Sequence, residues 1–243
     1  MQCPYILFFI SKKKQKRRKA SLVAAKHVKM ANNCLIIGDS YSTYEGCVPK
    51  GFAVYYTPEG KGPEHPTTKM QLNETWWSRM LAKTDLQLIE NNSWSGSTIC
   101  YTAYEGRDCS MNSSFIYRYR QLYKNGFFSQ NRIDTVFVFG GTNDSWSNAP
   151  LGEMKLENFT EKDLYRVLPA ICYFMKTLKE DLPTTRVIFI ANCDIKEEIT
   201  ACMRSAGEHF GVEVVSLSAV TKVAGHPTPV GMAEICEQVV AKL

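Results

Sequence analysis

The chain has 243 residues, 44% of them hydrophobic, enough to bury a sizeable core and within the range of one large domain. Its formal charge of +5 misleads: residues 12–29 hold nine Lys or Arg and no acid, and without them 20 basic residues face 24 acidic ones, a balance of −4. A nucleic-acid enzyme would carry its basic footprint on the folded part, so nucleic acid is not favoured, and nine cysteines without CxxC spacing fit buried thiols in a reducing, cytoplasmic setting better than a disulfide frame or a zinc site.

Residues 1–30 read as a basic extension, disordered or non-native, with Met30 as the natural start; a polybasic membrane-surface anchor or a nucleic-acid arm is the sharper alternative. Its apolar stretch, residues 4–10, is far short of the about 20 residues a bilayer requires. That stretch also precedes the charges, the reverse of a secretory signal, so no membrane span is expected.

From residue 31 onward, short apolar runs alternate with helical patterns. "NCLIIG" (33–38) is the first strand, and "NETWWSRMLAKT" (73–84) the first helix. "LQLIENN" (86–92) is the second strand, followed by a helix in "SSFIYRYRQLY" (113–123); Cys100 and Cys109 between them are the one pair that could bridge a loop. "IDTVFVFGG" (133–141) is the third strand. Thr160 with Asp163 resembles a capping box, and Leu164, Val167, Leu168, Ile171, Cys172, Met175, Leu178 and Leu182 then mark one apolar face of a long helix with Pro169 as a kink. "RVIFIAN" (186–192), a helix over 195–211 capped by Gly211, "VEVVSL" (212–217) and a helix over 229–243 complete the chain. Nearly continuous apolar strands alternating with helices predict a parallel sheet covered on both faces. The fold class is therefore α/β, a flavodoxin-like three-layer α/β/α sandwich on five parallel strands.

Such sheets bind ligands beyond the carboxyl ends of their strands. There the sequence puts "GDSYS" after strand one, "NNSWSGSTIC" after strand two, "GGTNDSWS" after strand three and "AGHPTPVGM" after strand five. Acyl transfer requires a nucleophile, a base and donors for the developing oxyanion. Ser40 and His226 would be nucleophile and base; the N–H groups of Ser40 and Gly96 and the amide of Asn143 would form the oxyanion hole. His27, His65 and His209 sit in the tail, a Pro-rich loop and a helix, and are left structural or solvent-facing.

These four loops resemble the blocks of the SGNH (GDSL-type) hydrolase superfamily: Gly38-Asp39-Ser40, Gly96, Gly141-Thr142-Asn143-Asp144, and His226-Pro227 with Gly231-Met232, in order over residues 33–243. The resemblance implies a carboxylic ester hydrolase working through a Ser-His acyl-enzyme mechanism without metal or cofactor. Asp39 and Asp144 would brace their loops rather than do chemistry.

One departure stands out. The family usually carries an aspartate three residues before the histidine, and "TKVAGHP" puts Val223 there. Three readings stay open: the backbone carbonyl at Val223 accepts from His226, Asp194 after strand four fills the place, or the site only binds ligands. Around the motif loops lie Tyr41, Tyr44, Trp94, Tyr101 and Trp146, either as substrate contacts stacking on a sugar face or as core packing. The long connections 47–72 and 145–159 are functional loops or surface decoration. The expected substrate is a small-molecule or carbohydrate ester with a short acyl group such as acetyl; a lipase or thioesterase for longer chains and a non-catalytic sugar- or ester-binding module are the alternatives.

Overall fold

A computed structural model describes residues 32–62 and 65–243; the expected basic extension, with Met30 and His27, lies outside the described residues. Apolar runs, nearly unbroken in the three central strands and mixed with polar residues in the two edge strands, suit a sheet covered on both faces. Five such runs pair in parallel: β1 (Asn32–Gly38), β2 (Leu86–Ser93), β3 (Thr135–Gly140), β4 (Arg186–Ala191) and β5 (Glu213–Ser216), in spatial order β2-β1-β3-β4-β5. In register, Ile36 faces Phe137 and Phe137 faces Ile188.

Alternation along the strands splits the core in two. Leu35, Ile37, Val136, Val138, Val187 and Phe189 point to one face, and Ile36, Phe137, Phe139, Ile188 and Ile190 to the other. Two helices close the second face: α1 (Trp76–Lys83) brings Trp76, Trp77 and Met80, and α7 (Pro229–Val240) brings Met232, Ile235 and Val239. The first face is covered by α2 (Phe115–Lys124), α5 (Val167–Asp181) and α6 (Glu197–Phe210), while α3 (Phe127–Gln130) and α4 (Thr142–Trp146) are single turns. Each Phe or Ile fully buried this way contributes roughly 1.5–3 kcal/mol. The chain steps from β1 outward to β2 and then to β3 on its other side, so the order reverses between β1 and β3. A crevice opens at such a reversal, beyond the strands' carboxyl ends.

Two expectations for the long helix, its start and its kink, are corrected. The Thr160–Asp163 pair does form, with the N–H and Oγ1 of Thr160 both donating to Asp163 Oδ2 at 2.7 and 2.8 Å, but the 3-10 turn Asp163–Tyr165 beside it has Lys162 at its N-cap and no side-chain cap. The carbonyls of Leu164 and Tyr165 are taken by Tyr101 N–H and Thr102 Oγ1, both at 2.8 Å, and the extended Arg166 separates the turn from α5. Pro169 therefore falls in the first turn of α5, where its missing N–H is no loss, and does not kink it. Cys100 and Cys109, the pair that could have bridged a loop, are both free and buried, in line with the reading of the cysteines as buried thiols, with Cys109 Sγ 3.3 Å from Thr98 Oγ1. Among the described residues, no helix is long and apolar enough to cross a membrane.

Candidate active site

Strand β1 stops at Gly38 because the chain folds back tightly there: a Cβ on Gly38 would lie 2.7 Å from both Ser42 Oγ and Ser93 Oγ. Asp39 then caps a single 3-10 turn, Ser40–Ser42, by accepting Tyr41 N–H at 3.0 Å. The turn is clamped from below, since Trp77 Nε1 and Asn91 Nδ2 donate to Ser42 O at 3.0 and 2.8 Å and Trp76 Nε1 donates to Ser42 Oγ at 3.1 Å. Ser40 stands at the head of this turn.

A buried guanidinium ties this loop to the next. Arg118, from α2, donates to Gly38 O at 3.0 Å, Ser97 Oγ at 3.2 Å, Asn92 Oδ1 at 2.9 Å and also Asn92 O. Burial pulls its pKa down to about 9, so it remains a cation at neutral pH. Gly96 sits in the turn between Trp94 and Ser97 with φ +80°. Among the described residues, the N–H groups of Ser40 and Gly96 have no protein acceptor.

Asn143 lies in α4, just beyond β3. Its Nδ2 donates to Ser97 O at 3.0 Å and its Oδ1 accepts from Tyr104 OH at 2.8 Å, which fixes the amide's orientation and leaves one N–H to spare. Asp144 takes the N–H groups of Ile99 and Cys100 at 2.9 and 3.0 Å, so it braces the Gly96 loop as well as its own. Burial pushes both loop carboxyls up, Asp144 in spite of these bonds and Asp39 to about 7 with Asp144 adding to it. Oδ2 of Asp39 is buried without a partner, which is where that desolvation falls.

His226 arrives on a small hairpin of β6 (Lys222–Val223) and β7 (His226–Pro227). Both residues of its turn, Ala224 and Gly225, take positive φ (46° and 78°), as a type I′ hairpin turn requires. Gly225 is doubly constrained, since a Cβ there would lie 2.8 Å from the Trp146 ring. The turn brings Ala224 O to 3.3 Å from His226 Nδ1, and on the other side Nε2 is 3.1 Å from Ser40 Oγ. With Nδ1–H donating to the carbonyl, Nε2 is left as the acceptor for the serine hydroxyl. Burial is the main cause that lowers the imidazole pKa to about 4; the Ala224 bond opposes it and the Lys222 cation adds to it.

The structure brings Ser40 and His226 together and sets the Gly96 and Asn143 loops side by side through Ser97. It corrects the expected partner of the ring. The acceptor is Ala224 O, not the Val223 carbonyl, because the hairpin turns one residue later; Val223 itself is half exposed. Asp194 is held by Lys222 Nζ at 2.8 Å instead.

Of the aromatics, Tyr41, Tyr44 and Tyr101 are buried in the core, the packing alternative for those three. Tyr41 OH donates to Gly225 O, which holds the hairpin rather than a ligand. Trp94 packs on Phe52 at 4.4 Å, and Trp146, 38% exposed, meets His226 edge-on at 5.6 Å. Sequence reasoning missed Ala224, Tyr104, Arg118 and Tyr55, whose ring lies flat on His226 at 3.7 Å. Arg118 did leave a signal, a charge three residues from Phe115 on the apolar face of "FIYRYR". Among the described residues, no three His, Cys, Asp or Glu side chains are grouped to hold a metal ion.

Comparison with known proteins matches residues 32–243 to the GDSL-like lipase/acylhydrolase family. A crystal structure assigned as a GDSL-like lipase from Bacteroides uniformis is 37% identical, covering 89% of this chain and 97% of that one with a TM-score of 0.80. Another so assigned, from Bacteroides ovatus, is 33% identical over 87% of this chain and 97% of that one, with a TM-score of 0.79. The acetyl xylan esterase Est2A from Butyrivibrio proteoclasticus, at 19% identity over 88% of this chain and 63% of that one and a TM-score of 0.53, shares the fold. No curated protein matches the sequence.

Proposed function

The chain belongs to the GDSL-like lipase/acylhydrolase family and is an ester hydrolase, and from that premise we propose that it removes a short acyl group, such as acetyl, from a carbohydrate or other small polar ester through a Ser40 acyl-enzyme. The observation that carries the mechanism is the line from Ala224 O through His226 to Ser40 Oγ, at 3.3 and 3.1 Å. Ser40 Oγ attacks the ester carbonyl as its proton passes to Nε2, and the imidazolium returns that proton to the departing alkoxide. Water, deprotonated by the same nitrogen, then attacks the acyl-enzyme and releases the acid. The oxyanion of each tetrahedral intermediate is taken by the N–H groups of Ser40 and Gly96 and the spare N–H of Asn143, groups that need not reorganise as charge develops. A backbone carbonyl serves as acceptor for Nδ1–H because fixing the tautomer requires only a lone pair.

The half-exposed Trp146 beside the base offers a flat apolar face of the kind that stacks on sugar rings. Est2A, the fold neighbour, is by name an acetyl xylan esterase, and an O-acetylated sugar is the substrate class proposed here. The test is hydrolysis of aryl acetate and aryl octanoate by wild type and Ser40→Ala. Expected are a loss of about 10³-fold or more in kcat for the variant and faster turnover of acetate. Equal rates in wild type and variant would sink the serine mechanism, and a preference for octanoate would sink the short-acyl assignment.

A further inference from the structure

With Val223 where the family has an aspartate, His226 keeps one neutral acceptor, Ala224 O, at the long distance of 3.3 Å. One such bond leaves the ring free to tilt. The faces of the ring are where the contacts are. Tyr55 lies parallel to it, centroids 3.7 Å apart and planes 7° from coplanar, and Tyr41 and Trp146 stand at steep angles to it at 5.6 Å.

We propose that Tyr55 is a positioning residue for the base: its ring fixes the plane of His226 and steadies the imidazolium that forms when Ser40 gives up its proton, the two tasks the missing carboxylate performs elsewhere in the family. The proposal rests on the acyl-transfer reading above.

Tyr55 is itself rigidly placed. Its N–H donates to Thr43 Oγ1 at 2.9 Å, and Thr43 Oγ1 donates to Ser40 O at 3.0 Å, so the ring that stacks on the base is tied to the backbone of the nucleophile. At its far end the Tyr55 hydroxyl is hydrogen-bonded to Thr67 Oγ1, and Tyr56 meets the ring edge-on at 4.8 Å. The electrostatics call for such a partner. Lys222 Nζ approaches the Tyr41 ring at 5.6 Å and adds to the forces disfavouring a charged imidazole. Asp194, the acid that follows strand β4, is already paired with Lys222. An aromatic face attracts a cation electrostatically and packs equally well against the neutral ring. It can therefore hold the base in both of its charge states.

The experiment measures kcat and KM on an aryl acetate for Tyr55→Leu, Tyr55→Met, Tyr55→Phe and Val223→Asp, each alone, and for the first two combined with Val223→Asp. Met keeps an unbranched apolar side chain without a π face and serves if the Leu variant does not fold, which urea denaturation monitors. Expected is a fall of about tenfold or more in kcat for Leu and Met, with KM moving by less than about threefold, and recovery of most of the loss in Phe. Val223 pairs directly with His226 across the hairpin, so cross-strand neighbours there share a face. An aspartate at 223 is expected to restore most of the rate lost in Leu and Met and to change wild type much less. Unchanged kcat in Leu and Met, a loss confined to KM, equal damage in Phe, or no rescue by the aspartate would each overturn the role. Fluorophosphonate labelling of Ser40 separates this from failure of the mechanism: wild type labelled and Ser40→Ala unlabelled leaves the mechanism standing whatever Tyr55 does.

Discussion

Ser40 and His226 meet at 3.1 Å from two regions built in opposite ways. Around Ser40, Gly96 and Asn143, position is set by buried charge. Arg118 gathers Gly38 O, Asn92 O and Ser97 Oγ, and Asp144 gathers the N–H groups of Ile99 and Cys100. Around His226 it is set by a two-residue turn, one carbonyl and three aromatic rings. Groups that must stay fixed while charge develops are served by directional bonds whose loss would orphan a buried polar atom. The base changes charge within each turnover, and a fixed anion beside it would favour one of its two states. Ring faces hold it with far less bias.

Breaking the polar region should cost most. Asn143→Ala removes a donor proposed to act on the oxyanion and is expected to lower kcat by about 10²–10³-fold with KM little changed, read by steady-state kinetics. Arg118→Met should act on the fold as well, because it removes the donor to the buried Asn92 Oδ1 and one of the two donors to Gly38 O, which keeps only Trp94 N–H at 3.0 Å. Orphaned groups of this kind cost about 1–3 kcal/mol each, so a loss of about 2–3 kcal/mol in urea denaturation is expected. Unchanged stability in Arg118→Met would mean that these loops hold their shape without it, and the contrast with the aromatic region would collapse.

The same contrast governs how much could be read in the sequence. The strands and the Ser40, Gly96, Asn143 and His226 loops were legible because apolar runs are local and motif residues sit at the ends of them. Tyr55 was not, since it lies in a long connection without hydrophobic period and reaches His226 only when the chain has folded. Ala224 was hidden too: hairpin turns of its type usually read Asn-Gly or Asp-Gly, and "VAGH" presents an alanine at a left-handed position that costs it about 1–2 kcal/mol. Thr160 and Asp163 do bond to each other, but without the reciprocal bond of a capping box, and carbonyls claimed by Tyr101 and Thr102, some 60 residues earlier in the chain, decide that the helix begins later. Tyr41 beside the serine could face ligand or core with equal logic until its hydroxyl was seen on Gly225 O.

The smallest effect compares the two regions directly, because each buries one titratable group with its pKa moved in the opposite sense. Burial raises Asp39 from 3.8 to about 7, with Asp144 opposing its ionisation and Arg118 favouring it. Between those values the folded chain holds a proton that the unfolded chain has lost, so this group adds stability as pH falls from 7 to 3.8. His226 is lowered from 6.5 to about 4. Between those values the unfolded chain binds the extra proton, and stability is lost as pH falls from 6.5 to 4. The two contributions oppose each other across the shared window and leave wild type nearly flat there as far as these groups decide. Asp39→Asn keeps an oxygen for Tyr41 N–H but cannot ionise. Its urea midpoint relative to wild type should therefore be higher at pH 8 than at pH 5, with a limiting slope of about 1.4 kcal/mol per pH unit. His226→Asn should differ from wild type the other way, its relative stability growing as pH falls through 6.5. The acid limb of kcat/KM follows the base alone, and its midpoint should lie nearer 4 than 6.5 in wild type. A midpoint at 6.5 or above would mean that burial does not keep the base neutral, and with that the distinction between the two regions would lose its electrostatic half.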